Sequence, residues 1–155
     1  MVILGIDPGT SRIGYGLVKK ERSTLTFLDA GILKVITRDR TEALLEIKHG
    51  LESLVTKWRP AILAVEKIYF AKNTKTALEV AQARGVILLV GLERGLIVKE
   101  FSPNEVKAGV AGYGFADKKS VAKMVNLTLH TPQLKMIDDA SDALAVAILG
   151  AQGNT

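Results

Sequence analysis

Two short apolar segments each end at an acidic residue, and this pattern constrains the fold more than any other feature of the sequence. Residues 2–6 are β-forming and stop at Asp7, after which a Pro-Gly turn follows. Residues 61–65 have the same character and stop at Glu66. If the two strands are neighbours, both acidic side chains lie at one edge of a sheet, where open α/β sheets have their sites.

The rest of the hydrophobic pattern predicts an α/β fold, a mixed sheet with helices on both faces. Two hairpin strands follow the first strand, and helices then alternate with strands. Further strands are expected at residues 14–18, 25–35 and 96–101, and helices at 39–58, 76–94, 103–112, 117–129 and 138–149. With 155 residues, the chain from 1 to 155 is expected to form one domain with its own core.

The composition excludes several kinds of site. The chain has no cysteine, which rules out disulfides, thiolate nucleophiles and cysteine-rich zinc sites. A metal must therefore be held by oxygen ligands or by His49 and His130, and we expect both histidines to be structural or surface residues because neither lies near an acidic motif. The apolar opening run resembles neither a signal peptide nor a membrane span, so a cytoplasmic location without a membrane partner is expected. The net charge of +5 favours a polyanionic partner without identifying it.

The last predicted helix carries further carboxylates. Asp139 and Asp142 are three residues apart and share one helical face. Several carboxylates close together repel one another unless a cation lies among them. Oxygen ligation suits Mg²⁺ or Mn²⁺, and two such ions roughly 4 Å apart can activate a water molecule and stabilise the leaving oxygen in phosphodiester hydrolysis.

Each carboxylate taken alone also has a simpler explanation. Asp7 can set the turn before Pro-Gly, and Glu66 can be a solvated strand end. Asp138 or Asp139 can cap the last helix. The case for a catalytic site therefore depends on the combination of these residues.

The order of these motifs resembles the RuvC family of Holliday-junction resolvases, which have a ribonuclease-H-like fold with a five-stranded sheet. The opening Gly5-Ile6-Asp7-Pro8-Gly9-Thr10, followed by Arg12 and Gly14-Tyr15-Gly16, resembles the start of that family. Later segments fit in the same order along nearly the whole chain: Val65-Glu66, Ala71-Lys72-Asn73, Gln82-Ala83-Arg84-Gly85, Val106-Lys107, Ala116-x-Lys118 and Asp139-x-x-Asp142-Ala143-Leu144.

The resemblance implies a homodimeric endonuclease that resolves four-way DNA junctions by paired symmetric nicks. Its metal-binding catalytic carboxylates would be Asp7, Glu66, Asp139 and Asp142, with two Mg²⁺ ions per site for which Mn²⁺ can substitute. It also implies branch-migration partners of the RuvA and RuvB type. The chain departs from the family pattern at Asp138, which forms an alternative pair with Asp142 at a spacing of four, and at Ser120, where the family has glutamine.

Basic and aromatic residues directly after Glu66 predict a DNA contact. Lys67, Lys72 and Lys75 surround Tyr69 and Phe70, which combines phosphate contacts with rings able to stack on unpaired bases. The alternative is that one of the two rings packs under the loop.

A second basic group follows in the last third of the chain. The resemblance places Lys107 and Lys118 near the active site, where they would contact the scissile strand, and it makes Arg12 a further candidate DNA contact. Lys119 and Lys123 can instead form a solvated helix face.

The predicted helix 76–94 is apolar on nearly all sides. A single sheet face does not cover so many apolar residues, so a second surface is needed. A two-fold related copy of the chain would supply that surface.

Three other functions share some of these features. An actin-like ATPase has a similar opening loop but needs two such domains, and this chain has room for one. A ribonuclease-H-like nuclease acting on RNA would share all four carboxylates. A module that only binds DNA is disfavoured, because unneutralised carboxylates repel phosphates and bound metal ions reverse that sign.

Overall fold

In the computed structural model, which describes residues 1–69, 75–131 and 138–153, a sheet of five strands is flanked by helices. The strands are β1 (Val2–Asp7), β2 (Arg12–Glu21), β3 (Thr24–Lys34), β4 (Ile62–Glu66) and β5 (Ile97–Phe101). The helices are α1 (Arg40–Trp58), α2 (Ala77–Glu93), α3 (Pro103–Ala111), α4 (Lys118–Thr128) and α5 (Asp138–Ala151).

The sheet has the order β3-β2-β1-β4-β5, with β1 at its centre. β1 pairs antiparallel with β2 and parallel with β4, and β4 pairs parallel with β5. Because β1 and β4 run in the same direction as neighbours, the predicted adjacency of their carboxyl ends is confirmed.

Successive residues of the central strands face two separate cores. Ile3 and Ile62 face the core shared with α3, α4 and α5, whereas Leu4 and Leu63 face the core shared with α1 and α2. Because both faces of β1 and β4 are buried, every position along these strands before the final acid is apolar rather than every second one. The predicted mixed sheet with helices on both faces is therefore confirmed.

Local capping signals explain several helix ends. α1 begins after Asp39, whose carboxylate accepts hydrogen bonds from two backbone N–H groups of the first turn. α3 begins with a capping box between Ser102 and Glu105 and ends at Gly112, which adopts a φ of 88°.

β2 is longer than the predicted strand at residues 14–18. It pairs with β3 along its whole length, from Arg12 opposite Lys34 to Glu21 opposite Thr24. Its polar end resembles a turn in sequence, but pairing with a neighbouring strand satisfies its backbone groups and extends the strand. The tight turn between β2 and β3 includes Arg22, which has a φ of 54°.

Glycines on β1 and β2 allow α5 to lie directly on the sheet. A Cβ atom at Gly5 would overlap the backbone oxygen of Ala143, and one at Gly14 would overlap the backbone oxygen of Asp139. The first turns of α5 are thereby held beside the end of β1. Among the described helices, none combines the length and apolar character needed to cross a membrane.

Candidate active site

Asp7 and Glu66 form the centre of an acidic cleft. Each is the last residue of its strand, and their preceding residues, Ile6 and Val65, are paired neighbours in the sheet. Burial, together with the negative charges of Glu66, Asp142 and Asp139, raises the pKa of Asp7 to about 8. Burial and the charge of Asp142 also raise the pKa of Glu66. Both side chains thus occupy a site that concentrates negative charge.

The first turns of α5 bring two more carboxylates to this point. Asp142 lines a cavity of about 280 Å³ together with Asp7 and Glu66. The charge of Asp139 contributes to the raised pKa of Asp7. Asp138 is exposed, and its charge helps to raise the pKa of Lys118. Of the two neighbouring aspartates, Asp139 is thus the one whose charge acts on Asp7.

Two basic side chains compensate the acids from α5. Lys118 Nζ donates to Asp142 Oδ2 at 3.1 Å, and this hydrogen bond raises the pKa of Lys118. Arg12 Nε lies 3.3 Å from Asp139 Oδ2. The side chains of both ion pairs are partly exposed to solvent, so each pair is weak. Each of these side chains can readily change to another binding partner.

The donor set suits a hard divalent cation, although the side chains are not arranged as a finished coordination shell. Carboxylate oxygens are the preferred ligands of Mg²⁺ and Mn²⁺, and the raised pKa values of Asp7 and Glu66 mark a place where a cation would relieve repulsion. In the part of the chain that the structure describes, no three acidic or histidine side chains converge on one point as metal ligands. Asp142 and Asp139 are paired with Lys118 and Arg12 instead.

A wider cavity of about 420 Å³ extends the cleft from the acids toward the segment after β4. Lys67 and Tyr69 line it, and Tyr69 is 63% exposed. Lys107 lines both cavities and lowers the pKa of Glu66 by its charge. The structure therefore brings Tyr69, Lys107 and Lys118 to the acidic cleft, as the sequence predicts.

Other predicted contacts lie elsewhere or outside the described residues. Phe70 and Lys72 fall outside the described ranges, so the choice between Tyr69 and Phe70 as the stacking residue stays open. His49 and His130 are exposed, and neither lines the cleft. Lys119 and Lys123 are exposed residues of α4.

Pro103 and Asn104 are cleft residues that the sequence reasoning missed. Pro103 lines both cavities, and Asn104 lines the larger one. They belong to the first turn of α3, and Lys107 follows one helical turn later. Residues three and four apart share a helical face, so placing Lys107 at the cleft would also have predicted Pro103 and Asn104 there.

Comparison with known proteins identifies the family. The family model described as "Crossover junction endodeoxyribonuclease RuvC" matches residues 3–150. A protein of that name from Roseiflexus sp. is 44% identical over 94% of this chain and 87% of its own length. One from Heliobacterium modesticaldum is 44% identical over 100% of this chain and 96% of its own length.

Solved structures give the same result. Thermus thermophilus RuvC in complex with a Holliday junction substrate is similar, with a TM-score of 0.89 and 31% identity over 97% of this chain and 93% of that chain. The yeast mitochondrial Holliday junction resolvase Ydc2 shares the fold, with a TM-score of 0.68 and 13% identity over 95% of this chain and 77% of its own. The chain belongs to the RuvC family of crossover junction endodeoxyribonucleases.

Proposed function

We propose that the chain, as one nuclease domain of residues 1–155, resolves four-way DNA junctions by metal-dependent hydrolysis at Asp7, Glu66, Asp139 and Asp142. The observation that carries the proposal is that acids from β1, β4 and α5 line one cavity together with Lys107 and Lys118. Family membership indicates junction DNA as the substrate. The cleft carries acids that can bind a cation and lysines that can bind a phosphodiester.

The four carboxylates would hold two Mg²⁺ ions, for which Mn²⁺ can substitute. When bound, the cations supply the positive charge that activates a water molecule and stabilises the leaving oxygen. Asp7 and Glu66 are the best placed to be shared ligands, because their strand ends are paired neighbours at the bottom of the cleft. Asp139 and Asp142 would complete the set from α5.

The lysines of the cleft would position the scissile phosphate. Lys118 is paired with Asp142, and a cation at Asp142 would release the ammonium group toward an incoming phosphate. Lys107 lines the same cavity, so the two lysines can contact different oxygens of one phosphate. A fixed positive charge at this point also stabilises the charge that develops on the phosphate during hydrolysis.

Residues around the cleft would hold the junction. Tyr69 is exposed beside Glu66 and can stack on an unpaired base at the crossover. By family resemblance, Phe70 and Lys72 act in the same segment. Arg12, which faces solvent beside Asp139, is a further phosphate contact once Asp139 binds a cation.

A homodimer is part of the proposal, and the outer face of α2 supports it. Leu78, Leu89 and Leu92 are 71%, 54% and 64% exposed, and the exposed Gln82 and Gly85 lie between them. The spacing of these residues puts them on one stripe of the helix. A two-fold copy packed on this stripe would cover the leucines and pair two active sites for symmetric nicks.

Further parts of the proposal rest on the family resemblance. Partners of the RuvA and RuvB type would move the branch point, and the cytoplasm would be the place of action on junction DNA.

Cleavage of a synthetic four-way junction tests the function. We expect Mg²⁺-dependent paired nicks in the junction and little cutting of a linear duplex with the same sequences. An RNA–DNA hybrid serves as the competing substrate. Preferential cutting of the hybrid would replace this function with a ribonuclease activity, and equal cutting of junction and duplex would remove the structural selectivity.

A further inference from the structure

The loop between α3 and α4 exposes two aromatic rings. This α3–α4 loop comprises residues 112–117, and within it Tyr113 is 54% exposed and Phe115 is 93% exposed. Phe115 is the most exposed large hydrophobic side chain among the described residues. A phenylalanine so exposed gains little from folding, and together with Tyr113 it forms an exposed aromatic pair that a binding partner can cover.

The backbone on both sides of Phe115 is anchored. Gly112 ends α3 by donating its N–H to Ala108 O, and Asp117 begins α4 by accepting from Ser120 N at 2.7 Å. Ala116, directly after Phe115, is 2% exposed and packs into the core with α4. Because neighbouring residues are tied down, Phe115 is presented outward from a defined support, which lowers the entropy cost of binding.

The α3–α4 loop lies at the acidic cleft. Lys107 precedes it on α3 and Lys118 follows it on α4, and both line the cavity with Asp142. A Cβ atom at Gly114 would lie 3.6 Å from the backbone oxygen of Asn104, which lines the adjoining cavity with Tyr69. The α3–α4 loop therefore lies next to the cavity that Tyr69 and Lys107 line.

The charges around the α3–α4 loop indicate which partner it binds. Lys118 and Lys119 follow it directly and are exposed, whereas the carboxylate of Asp117 is engaged in capping α4. Exposed rings interleaved with lysines are typical of surfaces that bind unpaired nucleotides, because bases stack on the rings while phosphates meet the ammonium groups.

We infer that Phe115 stacks on an unpaired base of the DNA substrate next to the phosphate held by Lys107 and Lys118. The inference rests on the proposed function and extends it to a second aromatic contact, separate from the Tyr69 segment. With Tyr69 and Phe115 both near the cleft, the substrate would meet two rings close to the scissile phosphate. Tyr113, the less exposed ring, would support the same contact.

Binding measurements with variants of Phe115 test the inference. The substrate is a four-way junction carrying 2-aminopurine beside the cleavage position, and binding is measured without divalent metal to prevent cutting. We expect Phe115→Ala to bind the junction about 10-fold more weakly and to lose the fluorescence quenching of the base. Phe115→Trp should retain both properties, since it keeps a stacking surface.

Two controls separate stacking from other effects. Leu127→Ala removes another exposed apolar side chain, 53% exposed near the far end of α4, and should bind like the wild type. Phe115→Leu keeps an apolar side chain without a ring and should bind as weakly as Phe115→Ala. Thermal unfolding of each variant should match the wild type, because these side chains are exposed.

The outcomes distinguish this inference from the proposed function. If the wild type fails to prefer the junction over linear duplex, the proposed function is wrong. If the wild type binds and cuts the junction but Phe115→Ala or Phe115→Leu retains full affinity and quenching, only the stacking role of Phe115 is overturned.

Discussion

α5 and α2 are both rich in apolar residues, but the structure buries them very differently. Ten of the 14 residues of α5 are buried, whereas only four of the 17 residues of α2 are. α5 lies on β1 and β2 and is covered on its outer side by α3 and α4. α2 packs against α1 and β5, and its outer face carries exposed leucines.

The difference in burial suits the two helices to different roles: α5 supports the candidate active site, and α2 offers a surface for the proposed dimer. α5 is fixed to the sheet because Gly5 and Gly14 leave no side chain between the backbones, so its acids are held against the ends of β1 and β4. An active site needs such rigid support. The outer face of α2 has no equivalent support in the described residues, and the proposed dimer would provide it.

The largest expected effect on stability comes from disrupting the close contact between Gly5 and the backbone of α5. A Gly5→Ala substitution would place a methyl group on the backbone of Ala143 and against Ala147, so the free energy of unfolding should fall by about 3 kcal/mol. Urea unfolding and cleavage assays should both show the loss. The matched control is Gly85→Ala on α2, where a Cβ meets nothing within 4 Å and where alanine should stabilise the dissociated chain by up to about 1 kcal/mol. Equal destabilisation by both would contradict the comparison of the two helices.

The next effect concerns the outer face of α2. A Leu89→Glu substitution puts a charge into the proposed dimer interface and should weaken association at least about 10-fold, corresponding to about 1.4 kcal/mol. Sedimentation at several concentrations measures the change, and Leu127→Glu on α4 is the control at similar exposure. A wild-type protein that remains monomeric at micromolar concentration would exclude the dimer as proposed.

A smaller effect is expected in the pH dependence of stability. The pKa of Asp7 is about 8 in the folded protein and lies above its ordinary value of 3.8, so the folded state binds the proton more tightly. The stability contributed by protonated Asp7 is therefore present below pH 4 and is lost as the pH rises toward 8.

Metal-free Asp7→Asn should consequently be more stable than the wild type at pH 8, by at least about 1 kcal/mol, since one pKa unit corresponds to about 1.4 kcal/mol. Chemical unfolding at pH 5 and pH 8 measures this difference. Added Mg²⁺ should raise the stability of the wild type and leave Asp7→Asn nearly unchanged. A lower stability of the variant at pH 8 would mean that Asp7 is not under electrostatic strain.

The sequence predicts local features better than it predicts contacts between distant segments. The apolar runs ending at Asp7 and Glu66 and the helix predicted at residues 39–58 reflect short-range rules, and the structure agrees with both. The pairings Arg12–Asp139 and Lys118–Asp142 join segments that are distant in sequence, and no local rule selects them.

Contacts between distant segments also determine the length of β2 and the different surroundings of Asp138 and Asp139, which is why the sequence did not predict them. The polar end of β2 becomes a strand because β3 is beside it. The two aspartates are equivalent in spacing arguments, whereas the structure places the backbone of Asp139 against Gly14 and lets its charge act on Asp7. The exposure of Phe115 also depends on how its neighbours pack, and composition alone does not predict it.

The most direct measurement compares junction binding and junction cleavage for Asp7→Asn. Glu21→Gln, an exposed acid at the opposite end of the sheet, is the matched control. Asp7→Asn should bind the four-way junction like the wild type but lose more than about 100-fold in Mg²⁺-dependent cutting, because even outer partners of metal ligands contribute 10- to 100-fold. Glu21→Gln should bind and cut normally. Undiminished cleavage by Asp7→Asn would contradict the proposed carboxylate site.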